Sequence, residues 1–263
     1  MKRLLQILLT SLCFFQWTTA AQLYEGFHVE AGADDGRLGF MTSWHRLSGE
    51  IGIAGDSLPL PGFQQTKGAL TLSKKGEAIA QIEADFSDTY YGSFRVRSAR
   101  LNKDSLIGLL FARPDLDELT PKTANLSILV KAWRNEHGAI LSGGKLFKTT
   151  EGVPIEEKKT YLVVFKVQDG SAGQRLVESW VLNGDQAQHF ANTSFTESEL
   201  NSASLGGEAG AVMQRARLNP KPSTNLSLRR GDVIACVAKF NPNTAFDEIR
   251  ISAISLREAA GAL

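Results

Sequence analysis

The chain has 263 residues, of which 43% are apolar and 22% are charged, so it is long enough to bury the core of one large domain. Its 29 basic and 28 acidic side chains nearly balance. That balance gives no electrostatic reason to expect nucleic acid or an anionic membrane surface as a partner.

Residues 1–21 predict a signal peptide. Two basic side chains are followed by a long apolar run and then by small residues, which is the order found in secretory signals. We expect cleavage after Ala20 or Ala21, leaving a secreted, periplasmic or extracellular domain over 22–263. A retained membrane anchor is the weaker alternative because the apolar run is short for a bilayer, so we expect no membrane insertion after cleavage.

Short apolar segments between turn signals predict an all-β domain. Segment 93–97 alternates apolar and polar residues, as a half-buried strand does, while 105–111 and 126–132 are more continuously apolar. Segment 161–167 is rich in β-branched and aromatic residues. Segment 177–182 follows it after a glycine-containing turn, so the two predict a hairpin.

Two later segments predict other structures, and one cysteine stands apart. Segment 195–203 contains Thr196 followed by Glu199, a capping pattern that predicts one short helix. Segment 213–224 contains two prolines and predicts a long surface loop. Cys236 is the one cysteine beyond the signal and lies in an apolar run, so we expect a buried, inert thiol and no intrachain disulfide.

Five short motifs carry a resemblance to a known family. They occur in this order: LYEGF at 23–27, LPLPGF at 58–63, KGALTL at 67–72, SFRVR at 93–97 and FDEIRI at 246–251. With them the chain resembles the secreted bacterial concanavalin A-like lectin/glucanase (LamG-type) sandwich proteins. The resemblance implies a single-domain jelly-roll β-sandwich of two antiparallel sheets, in which the first and last segments pair. It implies no single activity, because members bind glycans, cleave them or serve as adhesion modules.

The pairing of the chain ends is the sharpest structural expectation. Segments 24–27 and 249–256 are both strand-like and are expected to pair antiparallel. Ile249 and Ile251 share one face, whereas the two aliphatic residues that follow fall in the opposite phase. We therefore expect a one-residue bulge near 252–253 that returns all four to the core.

The favoured function is a secreted carbohydrate-binding or adhesion module without catalytic activity, with an extracellular or cell-surface polysaccharide as partner. Sugar binding uses aromatic faces beside planar polar side chains. Trp180 is expected in the core, and for Trp133 core and ligand roles both stay open. The expected ligand-binding residues are Trp44, Arg46, Tyr90, Tyr91, Trp133, Asn135 and His137.

The runner-up is a glycoside hydrolase or polysaccharide lyase on the same fold. The resemblance brings in a Glu-x-Asp-x-x-Glu strand used by retaining glucanases, which Glu83, Asp85 and Asp88 partly match. Asp88 is shorter than the glutamate of that pattern. We therefore expect Glu83 and Asp88 not to reach the separation of about 5 Å that a retaining pair needs.

The third alternative is a structural envelope protein with no small ligand. Calcium is the one cofactor that the resemblance suggests, with Asp34, Asp35 and Asp247 as candidate ligands. None of them lies in a loop with a defined calcium spacing. For Asp247 the favoured interpretation is a cap on a turn before its strand.

Overall fold

The computed structural model of the protein describes residues 22–27, 37–65, 67–86, 89–101, 105–115, 119–120, 123–131, 139–142, 145–148, 155–169, 175–205, 212–218, 226–239 and 243–263. The expected signal peptide lies outside these residues. No helix among them is long and apolar enough to cross a membrane.

Fourteen strands and three helices form within the described residues. The strands are β1 Gln22–Glu25, β2 Arg37–Leu38, β3 His45–Ala54, β4 Ala69–Gln81, β5 Thr89–Ser98, β6 Leu106–Ala112, β7 Leu126–Lys131, β8 Ala139–Ser142, β9 Lys145–Lys148, β10 Thr160–Asp169, β11 Arg175–Leu182, β12 Val212–Leu218, β13 Val233–Lys239 and β14 Thr244–Ser252. The helices are α1 Gly184–Ala191, α2 Glu197–Leu205 and α3 Leu256–Ala260.

All pairings between these strands are antiparallel. The main path runs β12-β11-β10-β5-β14-β4-β13-β6-β7-β8-β9, while β1 pairs with β14 and β2, and β3 pairs with β4. Strand β14 lies between β5 and β4 over Thr244–Phe246; beyond a bulge at Asp247 it lies between β5 and β1. The strands thereby divide into two layers that share an edge. Layer A is β12-β11-β10-β5-β14-β1-β2, and layer B is β3-β4-β13-β6-β7-β8-β9.

The main core lies between the two layers. Phe111 of β6 and Phe165 of β10 meet across it with ring centroids 5.8 Å apart, and Phe94 of β5 contacts Phe246 of β14 at 6.1 Å. Cys236 lies here with no exposed surface, which confirms the expected burial, and burial raises the pKa of its thiol well above the ordinary value. The fold is an all-β jelly-roll sandwich, as the sequence predicted.

A second core covers the outer face of layer A. In β10, Tyr161 and Val163 point into the main core, whereas Leu162 and Val164 pack under the helices. The segment is continuously apolar because both of its faces are buried. Trp180 of β11 has no exposed surface, which confirms its core role. The antiparallel pairing of β10 with β11 confirms the predicted hairpin.

Local side-chain hydrogen bonds define where the helices begin. Asn183 and Gln186 form a capping box before α1, each side chain accepting the other's backbone N–H at 2.9 Å. Thr196 and Glu199 do the same before α2, as predicted, at 2.7 and 3.3 Å. The backbone N–H of Thr196 also lowers the pKa of Glu199.

The chain ends pair as expected. Gln22–Glu25 runs antiparallel to the second half of β14, with Leu23 opposite Ile251 and Glu25 opposite Ile249. The predicted bulge position is wrong, because the register shift lies between Asp247 and Arg250. Strand β14 ends at Ser252, after which the chain turns into α3. The residues after Ser252 are therefore not bound to the alternation of a strand. Ile254 is exposed, and Leu256 packs in the second core.

The loop predicted over 213–224 is also wrong in its first half. Val212–Leu218 is strand β12, which pairs along β11 from Val181↔Val212 to Arg175↔Leu218. The two prolines follow this strand and do not interrupt it. The strand therefore forms by backbone pairing with β11, and the loop-type residues of the sequence begin only after Leu218.

Candidate functional site

One row of residues crosses five adjacent strands on the outer surface where the layers join. Gly52 is opposite Thr71, Thr71 opposite Ala245, Ala245 opposite Arg97, and Arg97 opposite Thr160. Their neighbours along the strands point into the main core. Because side chains alternate between faces, this row points outward.

A groove of about 610 Å³ lies over this row. We call it the outer groove and define it by the lining residues Glu50, Gly52, Thr71, Ser73, Arg97, Lys158, Asn243 and Ala245. Gly52 and Ala245 leave its floor low because they have little or no side chain. Its volume lies within the usual range of sites for small molecules and short oligomers.

Polar groups line the β3–β4 side of the outer groove. The Glu50 carboxylate accepts a hydrogen bond from Ser73 Oγ at 2.9 Å, and Thr71 Oγ1 donates to the Gly52 carbonyl at 3.0 Å. These bonds hold four oxygens in fixed positions, those of Glu50, Ser73, Thr71 and the Gly52 carbonyl. Each oxygen keeps lone pairs for a further donor.

Two residues with left-handed backbone conformations form the opposite rim. Lys158 has φ 65° and Asn243 has φ 56°. The Lys158 N–H donates to the Ser98 carbonyl at 2.7 Å, and the Ala99 N–H donates to the Asn243 carbonyl at 3.1 Å. A left-handed lysine costs free energy, on the order of 1 kcal/mol. The two backbone hydrogen bonds therefore stabilise, at this rim, a backbone conformation that the chain would otherwise disfavour.

Two arginines on the same face of β5 have different surroundings. Arg95 is fully buried, and its guanidinium donates to the Leu58 carbonyl at 3.1 Å and to the Gln64 carbonyl. Burial lowers the pKa of Arg95, and the nearby carboxylates of Glu248 and Asp247 act in the opposite direction. The loop that covers Arg95 leaves Arg97 half-buried beside open groove.

A buried ionic cluster anchors the chain closure next to Arg95. Glu248 has no exposed surface and adopts φ 51° at the β14 bulge. Its carboxylate accepts from Arg250 Nε and Nη2 at 3.0 and 2.7 Å, and the Tyr24 hydroxyl lies 3.4 Å away. The Arg250 guanidinium lies 4.1 Å from the centre of the Tyr24 ring. Burial and Glu248 raise the pKa of Tyr24 to about 12.

The structure assigns Trp44 to the edge of the main core. It is half-buried between Phe27 and Phe40, at ring distances of 5.6 and 5.7 Å. Its indole N–H donates to the buried Glu25 carboxylate at 3.0 Å. Arg46 is exposed on β3. Neither residue lines the outer groove.

The two adjacent tyrosines lie on opposite faces of β5. Tyr90 is 1% exposed, and its hydroxyl donates to the Leu226 carbonyl at 2.9 Å. No face of the ring reaches the surface, so the structure places Tyr90 in the main core, and its ligand-binding role stays a prediction. Tyr91 is half-buried against the second core. The remaining candidates, Trp133, Asn135 and His137, lie outside the described residues.

The carboxylates considered for catalysis face a turn. Glu83 and Asp85 follow β4 and are both exposed. Asp85 accepts the Arg230 backbone N–H at 2.9 Å, and the Glu83 carboxylate lies 3.6 Å from the Arg230 guanidinium. Asp88 lies outside the described residues, so the separation of Glu83 from Asp88 stays a prediction.

Asp247 does not have the surroundings expected of a loop calcium ligand. It is fully buried within β14 and lies opposite Arg95. Its two oxygens accept the backbone N–H groups of Leu58 and Glu248 at 2.9 and 2.8 Å, so it caps backbone groups from inside its strand and not from a turn before it. Calcium binding at Asp34 and Asp35, which are not among the described residues, stays a prediction. No cluster of three or more possible metal-ligating side chains occurs in the part of the chain that the structure describes.

The residues of the outer groove were not identified from the sequence. Alternation in 93–97 does place both arginines of β5 on one face, and Thr71 and Ser73 alternate in the same way in β4. Those signals can be read from the sequence. The sequence does not show the order of strands, which brings residues 52, 71, 97, 160 and 245 into one row.

The chain is thus an antiparallel jelly-roll sandwich with an open polar groove at the joint of its two layers. No known family and no curated protein matches its sequence. Similar solved structures include an endo-β-1,4-glucuronan lyase from the fungus Trichoderma reesei (TM-score 0.49, 8% identity, 87% of this chain and 94% of that chain). Others are a PL-14 alginate lyase from Aplysia kurodai (0.47, 12%, 76% and 89%) and a Lotus tetragonolobus seed lectin (0.44, 7%, 78% and 92%).

Proposed function

We propose that the protein is a glycan-binding or adhesion domain that holds its ligand in the outer groove. The observation that carries this proposal is the open groove over four adjacent strands, with a low floor at Gly52 and Ala245 and polar groups at both rims. Such a channel suits a sugar chain, which has apolar C–H faces and a rim of hydroxyls. Glu50, Ser73 and Asn243 supply acceptors and donors for those hydroxyls.

The proposal is for binding without cleavage. Glycoside hydrolysis by the usual route uses two carboxyl groups on either side of the scissile bond. In the outer groove, the carboxylate that the described lining supplies is Glu50, already engaged by Ser73. Each binding assay should also measure new reducing ends, which hydrolysis releases, and unsaturated ends, which a lyase leaves. A steady rise of either would favour the enzyme alternative.

The test is to fill the groove without disturbing the fold. A Cβ atom added at Gly52 meets only Thr71 Oγ1, at 3.2 Å, whereas one added at Gly55 meets nothing within 4 Å. We expect Gly52→Val to lose retention on immobilised polysaccharides and Gly55→Val to keep it, with both variants folded. Equal retention of both variants and the wild type would exclude the outer groove as the binding site.

We further propose that the protein is exported. The support is the order of basic, apolar and small residues over 1–21. N-terminal sequencing of the protein from its native host should find Ala21 or Gln22 as the first residue. An intact Met1 in a cytoplasmic fraction would refute export without affecting the groove proposal.

A further inference from the structure

We infer that the outer groove selects carboxylated polysaccharides, meaning polymers of uronic acid; this inference rests on the proposed function and specifies its ligand. The groove contains two cationic side chains, Arg97 and Lys158, against the single carboxylate of Glu50. Their arrangement, and what each one contacts, carry the inference.

The cations are available to a ligand. Within the part of the chain that the structure describes, neither the Arg97 guanidinium nor the Lys158 ammonium has a hydrogen bond or an ion pair. Glu50 is engaged by Ser73. With the two cations against the one carboxylate of Glu50, the formal charge of the described lining is +1 (2 − 1), which attracts an anionic ligand.

Arg97 is placed for recognition and not only for attraction. It is the fourth residue of the row, between Ala245 on one side and Thr160 on the other. It is half-buried, so part of its hydration is already removed. A planar guanidinium matches a carboxylate with two parallel N–H···O bonds, which are stronger than bonds between neutral groups.

Lys158 adds a second positive charge at the rim, on a backbone held in the left-handed region. A polymer with one carboxylate per sugar repeats its charge along the channel. It therefore meets the Arg97 position and the rim with successive units.

The experiment compares charged and neutral polysaccharides, among which polygalacturonate and its methyl ester share one backbone and differ mainly in charge. The wild type is tested on polygalacturonate, polyglucuronate, alginate, methyl-esterified polygalacturonate, dextran and dextran sulfate. We expect retention on at least one uronate polymer, weaker retention on the ester and on dextran, and a fall in retention as salt rises from about 0.05 to about 0.5 M. Binding of dextran sulfate as tight as that of the best uronate would overturn carboxylate recognition.

Variants then assign the effect to residues. Arg97→Gln should weaken uronate binding about ten- to a hundredfold, the loss expected for one charge-assisted pair. Arg97→Lys keeps the charge without the planar fork, so it should restore only part of the affinity. Arg46→Gln removes an exposed arginine of β3 outside the groove and should bind as the wild type does. Equal losses in Arg97→Gln and Arg46→Gln would overturn the inference.

The outcomes separate this inference from the proposed function. If neutral dextran or the methyl ester is retained best, and Gly52→Val still abolishes retention, the groove binds glycans but not through carboxylates. If no polymer is retained, or if Gly52→Val changes nothing, both the inference and the proposed function fail. Matching urea midpoints for all variants show that losses of binding are not losses of fold.

Discussion

Truncating the buried side chain of Leu23 should destabilise the whole sandwich, although it lies on a four-residue strand at the start of the described chain. Leu23 is 1% exposed and lies opposite Ile251, which is equally buried. A buried leucine replaced by alanine costs about 2–5 kcal/mol of unfolding free energy, since apolar contacts are lost and a cavity remains. Domains of this kind have about 5–15 kcal/mol in total.

The assay is urea denaturation of the purified protein, followed by tryptophan fluorescence. Leu47 of β3 is 47% exposed, so Leu47→Ala is the matched control and should stay within about 0.5 kcal/mol of wild type. The double variant of Leu23 and Ile251 should depart from additivity by about 0.5–3 kcal/mol, because the two side chains are in contact. A Leu23→Ala midpoint equal to that of Leu47→Ala would refute the closure of the sandwich by β1 and β14.

Three further predictions concern the closure and the core. Gly261→Ala should cost about 1–3 kcal/mol of unfolding free energy by urea denaturation, because φ is +67° and the new Cβ would lie 2.8 Å from Arg250 Cζ; a change under about 0.5 kcal/mol would contradict that packing. Because the pKa of Tyr24 is raised to about 12 from its ordinary 10.0, the stability it contributes is present below pH 10 and is lost as the pH rises towards 12; Tyr24→Phe should flatten the fall of the thermal midpoint over that window, and parallel pH curves would argue against it. Cys236 should stay unmodified by a thiol reagent in the native protein and react in urea, as located by peptide mass spectrometry; rapid native labelling would show that the core opens there.

The parts of the fold that were predicted correctly have local signals. The hairpin of β10 and β11 was visible because segment 161–167 is continuously apolar and a glycine-containing turn follows it. The capped start of α2 was visible in Thr196 and Glu199. Helix α1 was not predicted, although Asn183 and Gln186 carry a similar capping signal directly after strand β11.

The parts that were missed depend on contacts between distant segments. Strand β12 forms through its pairing with β11, and the prolines that suggested a loop lie beyond its end. Tyr90 has an aromatic ring that composition assigns equally well to a binding face or to a core; its partner, the Leu226 carbonyl, is 136 residues away. The outer groove needs the order of five strands, which no single segment encodes.

The most direct test of the central claim is a crystal structure of the protein with a short uronate oligosaccharide. We expect sugar rings over Gly52, Thr71 and Ala245, with one carboxylate paired to the Arg97 guanidinium and another sugar unit beside Lys158. Sugar bound elsewhere on the molecule, with the outer groove filled only by solvent, would contradict the account.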